Sequence, residues 1–380
     1  MKHVVPGVFL ALFFLPLLAA AGPPRVTMEG SPMFISDLQI HTFTIRVDSV
    51  DELFAFSVTV DYDATAIAVQ GVFSLDFLSN TGSSTARFMD YATAGTIEVD
   101  ESILGISPQT TSSGGLFTVV FRVPASQAGI AKKVPIVVSS CRMRDELNST
   151  ITCASDTGWI YLYPAMVRSK VFLQGPFVSS TTSMHTQLRD ADYTDQRTSP
   201  YAQDPISYGR QLPPNVVDWV LLQLRSTAAG ATLASKSCFL RNDGRIVFPD
   251  STASNDVPFD VSAGNYYIVV RHRNHLGVMS ASAVALGSAA NTTLYDFTTG
   301  QGQAYGTVSM ISIATSVFGM RSGDGDRNER VNASDLIGVW YPQNGSVGVQ
   351  GGDFDLSGRV NATDLIQKWY INNGRVSQIP

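Results

Sequence analysis

A segment near the C-terminus occurs twice, and the repeated residues are rich in side-chain oxygens. The copies 323–345 and 352–374 match at most positions with a constant offset of 29 residues (353 minus 324). The shared residues include Trp340/Trp369, Tyr341/Tyr370 and the Asn-Gly pair that ends each copy. Identity sustained at one fixed offset indicates an internal duplication.

The duplicated oxygens follow the spacing of a calcium loop. Such a loop supplies ligands from positions 1, 3, 5, 7, 9 and 12, with a backbone carbonyl at position 7. The predicted ligands of loop one (324–335) are Asp324, Asp326, Asn328, the Arg330 carbonyl, Asn332 and Asp335. Those of loop two (353–364) are Asp353, Asp355, Ser357, the Arg359 carbonyl, Asn361 and Asp364. The sequence therefore predicts two Ca²⁺ sites, each followed by a short helix with an apolar face.

The two loops differ at position 6, where a sharp turn favours glycine. Loop two has Gly358 there, whereas loop one has Glu329. We expect the turn in loop one to be strained, so loop two is predicted to bind Ca²⁺ more tightly. Position 8 is apolar in both loops (Val331 and Val360), as expected if it packs one loop against the other.

The segment 322–376 resembles a dockerin, the paired calcium-loop module of cellulosome-type assemblies. Loop two meets the dockerin pattern D-x-N/D-x-D/N/S-G-x-V-N-x-x-D-L in full, and loop one meets it at all but position 6. The resemblance implies that loop positions 10 and 11 open the helix that contacts a cohesin partner. These residues are Ala333, Ser334, Ala362 and Thr363. Their near identity implies that either helix can engage the partner.

The composition is that of an acidic globular protein. Among 380 residues, 44% are hydrophobic and 15% charged, and the formal net charge is −6. This charge argues against binding to a phosphate backbone, so no nucleic-acid partner is expected.

The N-terminus has the pattern of a secretory signal. Lys2 and His3 precede an apolar stretch over 8–18, and Ala19-Ala20-Ala21 forms a small-residue cleavage site. We expect residues 1–21 to be removed and the protein to be secreted from a bacterium. The alternative, a membrane anchor, requires a longer apolar run without Pro16.

Three cysteines are present. Cys141 and Cys153 can bridge across a hairpin in an oxidising compartment, and Cys238 is expected as a buried small hydrophobic residue. The alternative is that all three are unpaired.

Strand-like alternation dominates residues 22–164. Apolar residues recur at every second position in 43–47, 54–62 and 117–123, with further strands at 134–138 and 159–163. Turn signals separate these runs, which predicts an antiparallel β-sandwich. The strings starting at Leu53 and Gly115 resemble those of cohesins and related carbohydrate-binding modules. Asp63-Ala64 stands where those modules usually have Asp-Pro. The alternative is a generic immunoglobulin-like spacer.

Residues 165–300 are predicted to form a second β-sandwich, with strands near 167–173, 216–224, 244–248 and 264–276. A long polar stretch, 179–211, interrupts them and is either functional or mobile. His272 and His275 would point to opposite faces of a strand, so a zinc site is poorly supported. Residues 301–321 are expected to be a linker with a strand, and 322–380 the dockerin-like module. The predicted fold class is thus mostly β, with two β-sandwich domains followed by a small α module with two calcium loops.

The chain carries none of the common catalytic motifs, so an enzyme is not expected. A glycosidase needs only two carboxylates, and the candidates for such a pair are Asp218, Asp243, Asp250 and Asp260. Asp is common at turns and strand ends, which favours a structural role for them.

The leading functional hypothesis is a secreted, non-catalytic assembly or adhesion protein. Its calcium-folded tail would dock to a cohesin-bearing protein, and its own sandwich would accept a dockerin or bind polysaccharide. The alternatives are a carbohydrate-binding protein, with Phe73, Phe77, Phe88 and Tyr91 presented to sugars, or an accessory subunit of an extracellular glycoside hydrolase.

Overall fold

The computed structural model describes residues 23–79, 82–105, 110–249, 256–288 and 293–380. Two sheets form the N-terminal β-sandwich. One is five-stranded with the order β11-β1-β3-β8-β5, and the other is seven-stranded with the order β2-β12-β9-β4-β7-β6 and β10 paired to β9. The strands are β1 Arg25–Glu29, β2 Met33–Ile35, β3 Ile40–Leu53, β4 Ala55–Tyr62, β5 Ala68–Ser74, β6 Thr85–Asp90, β7 Thr96–Ile103, β8 Thr110–Arg122, β9 Lys132–Arg144, β10 Thr150–Ile151, β11 Ala154–Ser155 and β12 Gly158–Leu162. A 3₁₀ turn covers Ala125–Gln127.

Alternation in the sequence explains the core of this sandwich. Phe56, Val58 and Val60 of β4 are buried together with Phe117 and other inward residues of β8, while their neighbours face outward. Successive side chains of a strand point to opposite faces, so each alternating run places one apolar row between the sheets. The predicted N-terminal sandwich is confirmed.

The cysteines behave as two separate groups. Cys141 in β9 and Cys153 before β11 are disulfide-bonded, with Cα atoms 6.4 Å apart. Cys238 is a free thiol and is fully buried in the middle domain. Cys153 lies in the connection between β10 of the seven-stranded sheet and β11 of the five-stranded sheet, so the bridge fastens this connection to β9.

The middle domain is built on a six-stranded sheet of order β19-β18-β17-β21-β22, with β23 also paired to β21. Its strands are β13 Ala165–Val167, β14 Ser169–Lys170, β15 Phe177–Val178, β16 Ser183–Met184, β17 Val216–Arg225, β18 Thr232–Arg241, β19 Ile246–Val247, β20 Val257–Phe259, β21 Gly264–Arg271, β22 Val278–Met279, β23 Val284–Leu286 and β24 Tyr295–Asp296. Short two-stranded pairs, such as β13 with β20, cover one face. Where a second sandwich was expected, the structure has one six-stranded sheet faced by short two-stranded pairs.

The polar stretch 179–211 covers the opposite face of this sheet. It contains a helical turn at Gln187–Asp190 and a 3₁₀ turn at Thr194–Arg197. Tyr201 from this stretch packs in a second core with Trp219, Leu221 and Phe239. Strand β17 is buried on both faces for this reason.

Residues 301–321 are part of the middle domain. After 3₁₀ turns at Phe297–Thr299 and Gln301–Gln303, strands β25 (Met310–Ala314) and β26 (Val317–Met320) form a hairpin. Met310 and Met320 lie in the middle-domain core. Residues 301–321, expected to be a linker with a strand, therefore pack into the middle domain and connect it directly to the C-terminal repeat.

The C-terminal repeat adds two short helical segments. Helix one comprises π-type Asp335–Trp340 and α-helical Tyr341–Gln343, and helix two comprises π-type Asp364–Trp369 and 3₁₀ Tyr370–Asn372. Within the described residues, no helix is long and apolar enough to cross a membrane. The predicted signal segment, 1–21, lies outside the described residues.

Candidate metal centre

Three carboxylates converge in loop one. Asp324, Asp326 and Asp335 each place an oxygen within 4.8 Å of the others. Backbone N–H groups of the loop fix both oxygens of one of these carboxylates: Asp326 N donates to Asp335 Oδ1 over 3.2 Å, and Asn332 N donates to Asp335 Oδ2 over 2.8 Å. Two ligands on opposite sides of a Ca²⁺ ion at ordinary distances are about 5 Å apart, so the spacing suits calcium.

Loop two repeats this arrangement residue for residue. Oxygens of Asp353, Asp355 and Asp364 also lie within 4.8 Å of one another. Asp355 N donates to Asp364 Oδ1 over 3.0 Å and Asn361 N donates to Asp364 Oδ2 over 2.9 Å. Positions 1, 3 and 12 of both predicted ligand sets are therefore brought together.

The amide and hydroxyl positions face their own loop. Asn328 Oδ1 accepts from Arg330 N over 2.9 Å, and Asn332 Oδ1 accepts from Ser334 N over 2.7 Å. In loop two, Ser357 Oγ and Asn361 Nδ2 each donate to the carbonyl of Arg359 over 3.4 Å. The side chains at positions 5 and 9 thus serve as turn-forming hydrogen-bond partners in this arrangement.

The chemistry of the two clusters fits a hard cation. Asp324 is 1% exposed, and its Oδ1 atom is buried without a hydrogen-bond partner among the described residues. Burial, reinforced by neighbouring carboxylates, raises the pKa of Asp324 to about 8. Burial also raises the pKa of Asp353 to about 8, of Asp364 to about 7 and of Asp335 to about 6. A bound Ca²⁺ ion would satisfy the buried oxygen and neutralise the clustered charge.

Glu329 makes the turn that glycine makes in loop two. Its φ is 63°, in the left-handed region, and Gly358 at the matching position has φ 83°. The Glu329 side chain leaves the loop and reaches the middle domain. Its Oε1 accepts from Arg271 Nη1, and its Oε2 accepts from Gly277 N over 3.1 Å. The Glu329 side chain, which a glycine would lack, therefore anchors loop one to the end of β21.

The two repeats exchange contacts in a symmetric way. Val331 of loop one pairs with the segment after helix two, through Val331 N to Arg375 O (2.8 Å) and Gly374 N to Val331 O (2.7 Å). Val360 of loop two pairs in the same way with Gly345 and Ser346, after helix one. Trp340 Nε1 donates to Asn361 O and Trp369 Nε1 donates to Asn332 O, each over 3.2 Å. Each loop is thus closed by the helix of the other repeat.

The repeat also packs tightly on the middle domain. A Cβ atom on Gly175 would lie 2.0 Å from the carbonyl oxygen of Phe354 in loop two, so only glycine allows this approach. The Gln174 side-chain oxygen accepts from Asn372 Nδ2 over 2.7 Å and from Ser322 N over 3.1 Å. Leu276 of the middle domain lies in one apolar cluster with Val331, Val360 and both repeat tryptophans. The C-terminal repeat therefore packs directly against the middle domain.

The exposed face of each helix carries an apolar stripe that continues from the predicted contact residues. Ala333, Ser334 and Ala362 are exposed and Thr363 is half-buried. At helical spacing from the two alanines lie Ile337 (65% exposed) with Tyr341 (59%), and Ile366 (62%) with Tyr370 (71%). Sequence reasoning missed these isoleucines and tyrosines, although their i+4 spacing and the repeat offset were visible.

The histidines of the middle domain correct a sequence expectation. Strand β21 ends at Arg271, so His272 and His275 do not lie on opposite faces of a strand. Their Nδ1 atoms are 3.1 Å apart, and His272 Nε2 is 3.3 Å from Asp218 Oδ2. Arg273 Nε donates to the same Asp218 oxygen over 2.7 Å. The cluster is buried and joins the middle domain to loop two, since Asn274 Nδ2 donates to Asp353 O over 2.7 Å.

Three of the four candidate catalytic carboxylates lie beside basic side chains. Asp218 is buried; desolvation is opposed by Arg273 and His272, and together they leave its pKa well below the usual range. Asp243 bridges Arg241 and Arg245 at the surface, and Asp260 lies 3.9 Å from Lys236. Asp250 lies outside the described residues.

The aromatic residues proposed for sugar contact are dispersed. Phe77 is buried in the sandwich core, whereas Phe73, Phe88 and Tyr91 are exposed. Phe73 is on β5 of one sheet and Phe88 on β6 of the other, so they form no common platform.

Phe88 borders a cavity of about 520 Å³ on the outer face of the seven-stranded sheet. Strand pairing places Arg142, Ser57, Asp100 and Phe88 in one row across β9, β4, β7 and β6. Small side chains in the middle of the row form a trough between the arginine and the phenylalanine.

Solved structures similar to this chain are cohesin modules. They include a non-cellulosomal cohesin from the hyperthermophilic archaeon Archaeoglobus fulgidus, 13% identical with a TM-score of 0.29, covering 37% of this chain and 91% of that one. A type I cohesin–dockerin complex from Clostridium thermocellum gives 14% identity, a TM-score of 0.32 and coverage of 37% and 93%. A cohesin module of a family 33 glycoside hydrolase from Clostridium perfringens is 9% identical, with a TM-score of 0.31. The match covers 37% of this chain and 98% of that one. Likenesses this low carry no argument about function.

No protein-family model matches the chain. No curated protein matches it either.

Proposed function

We propose that this protein is a secreted, non-catalytic assembly protein whose C-terminal repeat binds two Ca²⁺ ions and presents a docking surface. One observation carries the proposal: two carboxylate triads stand at matching loop positions, and the Asp324 oxygen buried in the first lacks a partner among the described residues. Asp324, Asp326 and Asp335 would hold one ion, and Asp353, Asp355 and Asp364 the other. Each ion would neutralise its carboxylates and so keep the loop closed.

The docking surface consists of the two apolar stripes, Ala333-Ile337-Tyr341 and Ala362-Ile366-Tyr370. Exposed tyrosine and isoleucine side chains in a row are typical of protein contact sites. Because the repeats exchange contacts symmetrically, the two stripes are near-equivalent, and either can engage the partner. The resemblance of 322–376 to dockerins favours a cohesin-type partner.

The N-terminal sandwich has a separate role in this proposal. Its resemblance to cohesins favours a dockerin-bearing partner, and the trough beside Phe88 offers a surface for it. The chain would then link two partners, one at each end, in machinery that binds or degrades polysaccharide. The alternatives remain a carbohydrate-binding protein and an accessory subunit of a glycoside hydrolase.

Calorimetric titration of the chelator-treated full chain with CaCl₂ tests the metal sites. Two binding events are expected, together with a rise in the melting temperature. Asp324→Ala and Asp353→Ala should each remove one event, whereas the exposed Asp195→Ala serves as a matched control and should remove none. A titration without heat and without a change in melting temperature would refute the proposal at its base.

Capture of partners from a secreted-protein fraction, with and without chelator, tests docking. Replacing Tyr341 or Tyr370 alone by serine should leave binding nearly unchanged, because the other stripe remains. The double replacement should lose it. Leu147→Ser removes an exposed apolar side chain from the sandwich and is the control. If the partner is still captured by the double variant, or in the presence of chelator, the partner does not bind at the two stripes of the calcium-bound repeat.

A further inference from the structure

One turn of the middle domain, the connecting turn between β21 and β22, contacts both calcium loops. It runs from Arg271, which ends β21, to Gly277, which precedes β22. Its two ends hold loop one, because the carboxylate of Glu329 at position 6 accepts from the Arg271 side chain and from Gly277 N. Its middle holds the entry of loop two, where Arg273 Nη1 donates to Gln350 O over 2.5 Å. A single short segment of the middle domain therefore touches both predicted sites.

Asn274, at the centre of the connecting turn, links the first positions of the two loops. Its backbone carbonyl accepts from Gly323 N over 3.0 Å, and Gly323 directly precedes Asp324, position 1 of loop one. Its side-chain Nδ2 donates to the backbone carbonyl of Asp353, position 1 of loop two, over 2.7 Å. The same Nδ2 atom also donates to Gly351 O over 3.4 Å. The backbone and the side chain of one residue therefore connect the two ligand-bearing loops.

A histidine fixes the direction of the Asn274 amide. His275 Nε2 accepts from Gly175 N over 3.1 Å, so the neutral ring carries its proton on Nδ1. His275 Nδ1 lies 2.8 Å from Asn274 Oδ1 and donates to it. The amide oxygen is thereby engaged, and the Nδ2 group is directed at loop two. Because Asn274 is fully buried, an Nδ2 group that lost its acceptor in loop two would lie in the interior without a partner, which is costly.

These hydrogen bonds make the order of each loop depend on the order of the other. The three carboxylates of each loop repel one another without a cation, so closing a loop must fix its backbone against that repulsion. When loop one is closed, Gly323 N holds the Asn274 carbonyl and so fixes the backbone of the connecting turn. The Asn274 amide is then already placed for Asp353, and loop two loses less conformational freedom when it closes. The same holds in reverse, because coupling between two sites is reciprocal.

The contacts between the two repeats act at other loop positions. Val331 and Val360, at position 8 of their loops, pair with the segments that follow the opposite helices. The connecting turn instead joins position 1 of both loops and belongs to the middle domain. Substitution in the turn therefore separates its contribution from that of the contacts between the repeats.

We propose that the connecting turn couples the two calcium sites, so that they bind with positive cooperativity, and that Asn274 is the positioning residue. The inference rests on the proposed calcium binding but goes beyond it, because two independent sites would serve the docking surface equally well. It gives the middle domain a part in calcium binding that the repeat alone does not contain.

Calorimetric titration of the chelator-treated full chain with CaCl₂ measures the coupling. In the wild type, the weaker event reports loop one with loop two already filled. In Asp355→Ala, loop two is disabled, and loop one should bind about tenfold more weakly than in the wild type. The same comparison made with Asn274→Ala in both proteins should give a ratio of about threefold or less. Asn242→Ala removes the same amide group from the turn between β18 and β19 and should keep the wild-type ratio.

Hydrogen exchange tests the coupling without a change at the buried Asn274. In Asp326→Ala, loop one is disabled and CaCl₂ can fill loop two alone. The Gly323 amide, which donates to Asn274 O, should then exchange about tenfold more slowly with CaCl₂ than with chelator. Exchange at the chelator rate, or equal loop-one affinities in the wild type and Asp355→Ala, would overturn the coupling. A ratio unchanged by Asn274→Ala would overturn the role of the turn. A titration without any calcium event would instead refute the proposed sites, and this inference with them.

Discussion

Substituting Glu329 by glycine removes a strained backbone position and a side-chain anchor at the same time. Glu329 holds φ at 63°, which costs a residue with a Cβ atom about 1–2 kcal/mol. Its carboxylate accepts from Arg271 and from Gly277 N. The side chains of Glu329 and Arg271 are 31% and 26% exposed, so we assign the ion pair about 1 kcal/mol and the bond from Gly277 about 1.5 kcal/mol.

The anchor therefore outweighs the strain. Glu329→Gly should lower the free energy of unfolding by about 1 kcal/mol, since the relief of strain offsets part of the loss. Glu329→Ala keeps the strain and loses both contacts, so it should cost about 2–3 kcal/mol. Glu329→Gln keeps an acceptor for Gly277 N and should cost about 1 kcal/mol or less.

Urea unfolding of the full chain at one fixed calcium concentration measures all three variants. The alanine variant is predicted to have the lowest free energy of unfolding of the three. A double-mutant cycle of Glu329→Gln with Arg271→Gln isolates the contribution of the ion pair. If Glu329→Gly proves more stable than the wild type, strain dominates and the side chain is no anchor.

Three further predictions concern the calcium loops and their packing on the middle domain. Asp353→Asn should abolish the tighter calcium event in calorimetry and Asp324→Asn the weaker one; the reverse order would contradict the ranking of the loops. Without calcium, the folded chain retains protons on Asp324 and Asp353 between the ordinary pKa of 3.8 and about 8. The melting temperature of the calcium-free protein should therefore fall as pH rises through this window, and calcium affinity should rise; a flat profile would argue against buried carboxylates. Gly175→Ala would place a Cβ atom 2.0 Å from Phe354 O, so it should cost about 1–3 kcal/mol in thermal unfolding and weaken calcium binding at loop two, whereas an unchanged protein would show that the approach is not close.

Local patterns predicted the local structure well. The alternation in 54–62 and 117–123 gave strands β4 and β8, because a strand exposes every second side chain to the core. The spacing of Asp324, Asp326 and Asp335 gave the first carboxylate cluster, because all three lie within one loop. In both cases the information is contained in a short stretch of chain.

Contacts between distant segments could not be read in this way. The approach of Gly175 to Phe354 and the cluster around His272 depend on how separate elements pack, and no local period encodes that. The pattern also did not show that β21 ends at Arg271, because the residues beyond it are buried by their neighbours and not by a sheet. Glu329 shows this limit. It departs from the glycine that the loop pattern requires, and its side chain is explained only by its contacts with Arg271 and Gly277 of the middle domain.

The exchange of contacts between the repeats has a consequence for the independence of each unit. Each loop is completed by the segment that follows the other helix, as in the pairing of Val331 with Gly374 and Arg375. A single unit alone would leave its loop open and its tryptophan without the acceptor that the second unit supplies. Two separate single-unit chains would complete one another across a two-fold axis, each offering the same surface it receives. The two units of this chain are therefore paired as the halves of a symmetric dimer are, but within one continuous chain.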